Sequence, residues 1–324
     1  MASENDKSTL EKAINQDGEA KEAMKTASTF GEKISLIEGM TALLYRGEKG
    51  KGLLLDFHGG GFCFKSPLDN DAYCSFLNKT YGLTLLNFDF TPSCYKVYPA
   101  QLLETEEQYN RLLQRFSDFK NEKLYLVGHS SGANLAAALT LMLRRRGIAV
   151  AGLVLDYPYL DLTRDPSTRP VFPETFPDWL INDWTTMYCP YEELRHNPLV
   201  SPLLMGQGDV SLFPKTFIVT SETDRLHDDG VAFYELLKKD DIDVVHFRAE
   251  ERHDEFASGF PIGINLIGPP ISALIREDFV ISDRINAITA KSRFSYRDGI
   301  RCCVLCAFAT EFIGFFSDSD SAFI

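Results

Sequence analysis

The chain is 324 residues long, with 44% hydrophobic and 24% charged side chains, a globular composition that excludes a disordered chain and a small disulfide-stapled module. Basic residues number 33 and acidic residues 46, which leaves a net charge of −13. Such a chain repels phosphate backbones and anionic lipid, so nucleic acid is not expected as a partner.

The first 25 residues carry charges throughout and hold no apolar run of the kind a secretory signal needs. Residues 1–33 read as a polar, helix-prone leader in which Ser8 and Glu11 have the spacing of a capping box. ISLIEGMTALLY (34–45) predicts one or two early strands, and GLLLDF (52–57), LTLLNFDF (83–90), KLYLVG (123–128), VAGLVLDY (150–157), KTFIVT (215–220) and IDVVHF (242–247) predict further ones. Helical patterns lie between them at 99–116 and 133–146. In the first, Glu104, Glu106 and Glu107 are expected on a solvated face. The second ends in Arg144, Arg145 and Arg146 followed by Gly147, a cationic C-terminus with a cap glycine. Apolar strands alternating with helices predict the α/β class, with a mostly parallel sheet covered on both faces. The proline- and aromatic-rich stretch 162–200, with Phe172, Phe176, Trp179, Trp184 and Tyr188, is read as a lid insertion against the alternative of a packed surface excursion. Residues 261–324 show no strand–helix rhythm. Their apolar run 304–316 is too short to span a bilayer and contains Glu311, so stable membrane insertion is not expected. Of the seven cysteines, Cys63, Cys74, Cys94 and Cys189 are scattered, which predicts reduced thiols and a cytoplasmic location. Cys302, Cys303 and Cys306 lack the fourth ligand of a structural zinc site, so no metal is expected.

Gly128-His129-Ser130-Ser131-Gly132 follows a predicted strand and opens a predicted helix. At such a turn a strained serine is held with its hydroxyl above the sheet, which makes Ser130 the candidate nucleophile. His58-Gly59-Gly60-Gly61 follows the strand at 52–57, and its glycines leave backbone N–H groups free to meet charge developing on an attacked carbonyl. The rival readings are a flexible turn and a phosphate loop, but no Lys-Ser or Lys-Thr pair follows. Serine needs a base, and that base needs an orienting acid. Of six histidines, His58 and His129 sit inside motifs, His196 in the lid, His227 beyond a strand and His246 within one, while His253 lies in a loop. Asp224 follows the strand at 215–220. Its rivals Asp228 and Asp229 fall where a helix would begin and read as dipole partners. Ser130, Asp224, His253 is the chain order of α/β-hydrolases.

From about Leu53 to Phe256 the chain resembles the hormone-sensitive-lipase-like branch of α/β-hydrolase esterases, through HGGGF (58–62), DF (89–90) before YPAQL (98–102), GHSSGANLA (128–136), TDRLHDDG (223–230) and RHDEF (252–256). The resemblance implies Ser130 as nucleophile, Asp224 as orienting acid, His253 as general base, and N–H groups of Gly59, Gly60 and Ser131 as the oxyanion hole. It implies an α/β-hydrolase fold with an N-terminal cap segment at 1–33, a catalytic domain at 34–260 with a lid at 162–200, and an unmatched extension at 261–324. It also implies hydrolysis of short-chain acyl esters of small molecules without a cofactor, and is compatible with a homodimer through a sheet edge. His129 stands where the family often has Asp, Ala133 replaces a second glycine, Thr91 an arginine, and Asp254 a glycine. Two alternatives stay open: a small serine peptidase or amidase, and a non-catalytic ligand-binding protein on the same scaffold.

Overall fold

The computed structural model describes residues 4–172 and 175–249. His253, Asp254, the extension at 261–324 and its three cysteines lie outside the described residues.

The predicted strands form eight elements, of which the inner six bury both of their faces. They are β1 (Glu32–Ile34), β2 (Ala42–Tyr45), β3 (Leu53–Phe57), β4 (Thr84–Asn87), β5 (Leu124–His129), β6 (Gly152–Asp156), β7 (Thr216–Ser221) and β8 (Val244–Ala249). One sheet holds them in the order β1-β2-β4-β3-β5-β6-β7-β8. The β1–β2 and β2–β4 pairs are antiparallel and all the others parallel. Every residue of β2 to β7 is buried, which explains apolar runs that are continuous rather than alternating. Register sets the C-terminal ends of the middle strands side by side: Phe57 faces Gly128, and His129 faces Asp156.

The helices are α1 (Glu4–Thr26), α2 (Pro67–Tyr81), α3 (Ala100–Arg115), α4 (Ser131–Arg145), α5 (Asp178–Tyr188), the single turns α6 (Glu192–Arg195) and α7 (Gln207–Val210), and α8 (His227–Lys239). Helix α4 is buried continuously from Ser131 to Leu143 and packs on β3, β5 and β6. Its run of alanines and leucines suits a helix enclosed on all sides. Helix α1 packs on α5 of the predicted lid, where the Thr9 hydroxyl donates to Asp183 at 2.5 Å. No helix among the described residues is long and apolar enough to cross a membrane.

Several sequence expectations need correction. Ser8 does not cap α1, which already begins at Glu4, because the acidic and polar residues before it suit the positive end of a helix. Glu104 and Glu106 are not a solvated face. The Glu104 carboxylate accepts from Thr91 N, Thr91 Oγ1 and Lys96 Nζ at 2.8–2.9 Å, and buried Glu106 pairs with Arg146. Only Glu107 is open, in a helix-surface pair with Arg111. The cationic end of α4 is pinned as well as capped: Arg144 donates to Leu212 O, Arg145 grips Asp209 with two bonds, and Gly147 turns with φ 78°.

Candidate active site

No loop separates β5 from α4. Ser130 alone joins them, with φ 54° and ψ −119°, a left-handed conformation that costs about 1–3 kcal/mol for a residue with a side chain. Its neighbours hold it there. Ser130 N donates to Asp156 O at 2.9 Å, while its own carbonyl accepts from Ala133 N and Tyr159 N. The motif glycines are required by close approach. A Cβ on Gly128 would lie 2.3 Å from Gly132 O, and one on Gly132 would lie 2.3 Å from both Phe57 O and His58 O. Ser131 opens α4, so its N–H belongs to the first helical turn, whose donors lack intrahelical partners and carry the positive end of the dipole.

The loop after β3 runs along this elbow. A Cβ on Gly59 would stand 3.0 Å from His129 O and 3.3 Å from Ser130 Cβ. Gly60, Gly61 and Phe62 follow with φ of 107°, 60° and 64°. Two groups fix that backbone: Phe62 N donates to Ser131 Oγ at 3.0 Å, and Ser93 Oγ donates to Phe62 O at 2.8 Å. The His58 ring lies under the loop, its Nδ1 2.9 Å from Gly59 O and its face stacked on Phe90 at 4.4 Å. Burial pushes its pKa down and keeps it neutral, so it shapes the loop.

The acid turn follows β7. Asp224 is buried, and its Oδ1 accepts from Leu226 N at 3.0 Å. The next residue, Arg225, is fully buried and spends its guanidinium on the stretch 162–200: it donates to Pro166 O, Pro170 O and Phe176 O and pairs with Asp178. Asp229 is more than a dipole partner, which corrects the sequence reading. It is buried, accepts from Leu160 N and Asp161 N, and pairs with buried Arg169 at 2.7 Å. Asp228 stays near the surface with Arg164. His246 lies within β8, 2.8 Å from Thr220 Oγ1, where burial lowers its pKa to about 4.

Directly before Ser130, buried His129 stands between two carboxylates, Nδ1 3.0 Å from Asp156 Oδ2 and Nε2 3.3 Å from Asp56 Oδ1. Residues of the stretch 162–200 pack against the glycine loop. A Cβ on Gly61 would lie 2.5 Å from the Trp184 indole, Phe176 meets that indole edge-on, and Phe62 stacks on Tyr188 at 3.8 Å. A separate cleft of about 560 Å³ runs between α1 and residues 89–92, with Lys21, Lys33 and Lys65 in its wall and Phe90 shared with the His58 stack. Among the described residues no three His, Cys, Asp or Glu side chains group so as to hold a metal ion.

The fold thus brings Ser130, Ser131, Gly59 and Gly60 together, sets Asp224 at the C-terminal edge of the same sheet, and leaves His253 beyond the described residues. Sequence reasoning missed the Ser131 hydroxyl, Arg225 and the His129 bridge. Only His129 had a signal, its departure from the family's aspartate.

A family model described as alpha/beta hydrolase fold matches residues 54–257. An arylesterase of Saccharolobus solfataricus is 26% identical over 236 residues, 70% of this chain and 75% of the relative. A gibberellin receptor of Arabidopsis thaliana is 28% identical over 208 residues, 59% of this chain and 56% of the receptor, so the match spans little more than half of that protein. Among solved structures, a hyperthermophilic esterase of the archaeon Pyrobaculum calidifontis superposes with a TM-score of 0.67 at 22% identity, covering 83% of this chain and 93% of that one, a likeness of fold. With its sheet order, its Ser130 elbow and the glycine loop beside it, the chain belongs to the α/β-hydrolase fold family, in its hormone-sensitive-lipase-like branch.

Proposed function

We propose that the protein is a carboxylic ester hydrolase that acts on short-chain acyl esters through an acyl-enzyme, with Ser130 as nucleophile, Asp224 as orienting acid, His253 as base, and Gly59, Gly60 and Ser131 N–H groups as the oxyanion hole. The observation that carries this reading is the strained Ser130 between β5 and α4, with the Gly59 backbone packed against it. An attacked carbonyl seated there would meet loop and helix donors together. Support for His253 comes from topology: β7 and β8 are parallel with Ser221 opposite Ala249, and His253 follows Ala249 by four positions in the chain, as Asp224 follows Ser221 by three. The esterase names of several relatives point to the same chemistry.

Ser130 Oγ attacks the ester carbonyl while His253 takes its proton. The oxyanion hole stabilises the tetrahedral intermediate, and His253 then protonates the leaving alkoxide. Water repeats the two steps and releases the acid. Residues 1–33 and 162–200 serve as cap and lid over a catalytic domain spanning 34–260, and 261–324 form an added extension.

The test is turnover of p-nitrophenyl acetate, butyrate and octanoate by the full chain, by Ser130→Ala and His253→Ala, and by Asp224→Asn. Turnover on the short esters, lost by orders of magnitude in the serine and histidine variants, is the expected result. Wild type no more active than folded Ser130→Ala would overturn it and favour a binding protein. Amide turnover exceeding ester turnover would favour a peptidase.

A further inference from the structure

His129 has a partner for each ring nitrogen. Asp156 is its direct neighbour in register across the β5–β6 pair, and Asp56 lies diagonally across the β3–β5 pair, opposite Val127. Both partners are carboxylates, and both carboxylates are buried. A carboxylate only accepts, so both bonds, Nδ1 to Asp156 Oδ2 and Nε2 to Asp56 Oδ1, form only when both nitrogens carry protons. A neutral ring would turn one lone pair toward a carboxylate oxygen. Each carboxylate is tied further into the scaffold: Asp56 Oδ2 accepts from Asn70 Nδ2 at 2.7 Å, and the Asp156 carbonyl accepts from Ser130 N. The bridge therefore joins the ends of the three strands that lead into the oxyanion loop, the nucleophile and the lid. The carbonyl of His129 itself is the atom against which Gly59 packs.

We propose that His129 is the positioning residue of the nucleophile: as an imidazolium bridging Asp56 and Asp156, it locks β3, β5 and β6 together and holds Ser130 in register with the Gly59 loop. The proposal rests on the ester-hydrolase reading for its kinetic consequence, though not for the bridge itself. The other titratable groups around the bridge stay neutral. Tyr73 from α2 meets the ring edge-on at 5.2 Å, Tyr157 after β6 lies at 6.3 Å, and the Cys74 thiol bonds Asp56. Burial holds all three well above their ordinary pKa values. The proton of the bridge thus sits on the His129 ring, between two accepting carboxylates. Burial works against the ring's charge, but the hydrogen bonds to Asp156 and Asp56 outweigh it and carry the pKa up to about 9.

Two measurements on the full chain test this. In wild-type protein with labelled histidine rings, NMR should show one imidazole that stays protonated at pH 7.5 and loses its proton near pH 9, and that signal should be absent from His129→Asn. A His129 ring that is neutral at pH 7.5 would overturn the bridge, and this reading stands even where the variant fails to fold. In kinetics on p-nitrophenyl butyrate, His129→Asn should lower kcat about 10²-fold, the cost of misplacing a reacting group by about 1 Å. KM should hold, because no substrate group touches the ring, and the alkaline fall in wild-type kcat near pH 9 should vanish. An unchanged kcat with an unchanged alkaline limb defeats the proposal. Should wild type and Ser130→Ala be equally inert, the ester-hydrolase reading fails instead, and the NMR titration alone decides His129.

Discussion

At the scale of single residues, the site concentrates charge where the backbone is most strained. Ser130 occupies a left-handed conformation, and the imidazole directly before it is held by two acids. The stability consequence has a definite sign. The folded-state pKa of His129, about 9, lies above the ordinary ~6.5 of an unfolded histidine. Its stabilising contribution is therefore complete below pH ~6.5 and is lost as pH rises through 9, an amount on the order of 3 kcal/mol. Urea midpoints measured from pH 6 to 9.5 should fall more steeply for wild type than for His129→Asn. Parallel curves would mean that the ring is not charged in the folded state.

At the scale of elements, buried and exposed ion pairs tie elements together with very different strength. Arg169 and Asp229 are both buried and join the stretch 162–200 to the first turn of α8. Arg169→Ala strands the carboxylate and should cost about 3–5 kcal/mol in a denaturant titration. Arg145 and Asp209 make two good bonds at the end of α4, but Arg145 is 38% exposed there, and Arg145→Ala should cost less than about 1 kcal/mol. The same contrast separates what the sequence disclosed from what it hid. Strands β3 to β7 were legible because burial on both faces leaves an unbroken apolar run, and the elbow was legible because its serine and glycines sit in five consecutive residues between a strand and a helix, although the contact that demands Gly132 is made with Phe57 O and His58 O far away in the chain. The His129 partners lie 27 and 73 positions away, and Arg169 and Asp229 are 60 apart, so no local pattern announces them. Glu104 and Glu106 obeyed helical periodicity and still went inside, because Thr91, Lys96 and Arg146 arrive from other elements.

At the scale of the whole molecule, three layers meet at the ends of the strands: the strand ends themselves, the glycine loop, and the stretch 162–200, which rests on that loop through Trp184. Trp184→Ala opens space directly over Gly61. It should change the ratio of kcat/KM between octanoate and acetate esters more than it changes turnover of acetate. Equal loss on both would make 162–200 a scaffold with no say in selectivity. The buried bonds of Arg225 to Pro166, Pro170, Phe176 and Asp178, with Arg169 on Asp229, carry one further consequence. Segments 166–178 and 224–229 are interlocking halves of a single inheritable piece, even though α5, α6, α7 and β7 separate them along the chain. A crossover that exchanged the first with a related protein while keeping the second would remove the side-chain partners Asp178 and Arg169 wherever that protein has other residues there, and would leave Arg225 dependent on how the new backbone presents its carbonyls. A designed chimaera that moves both segments keeps Arg225 with Asp178 and Arg169 with Asp229.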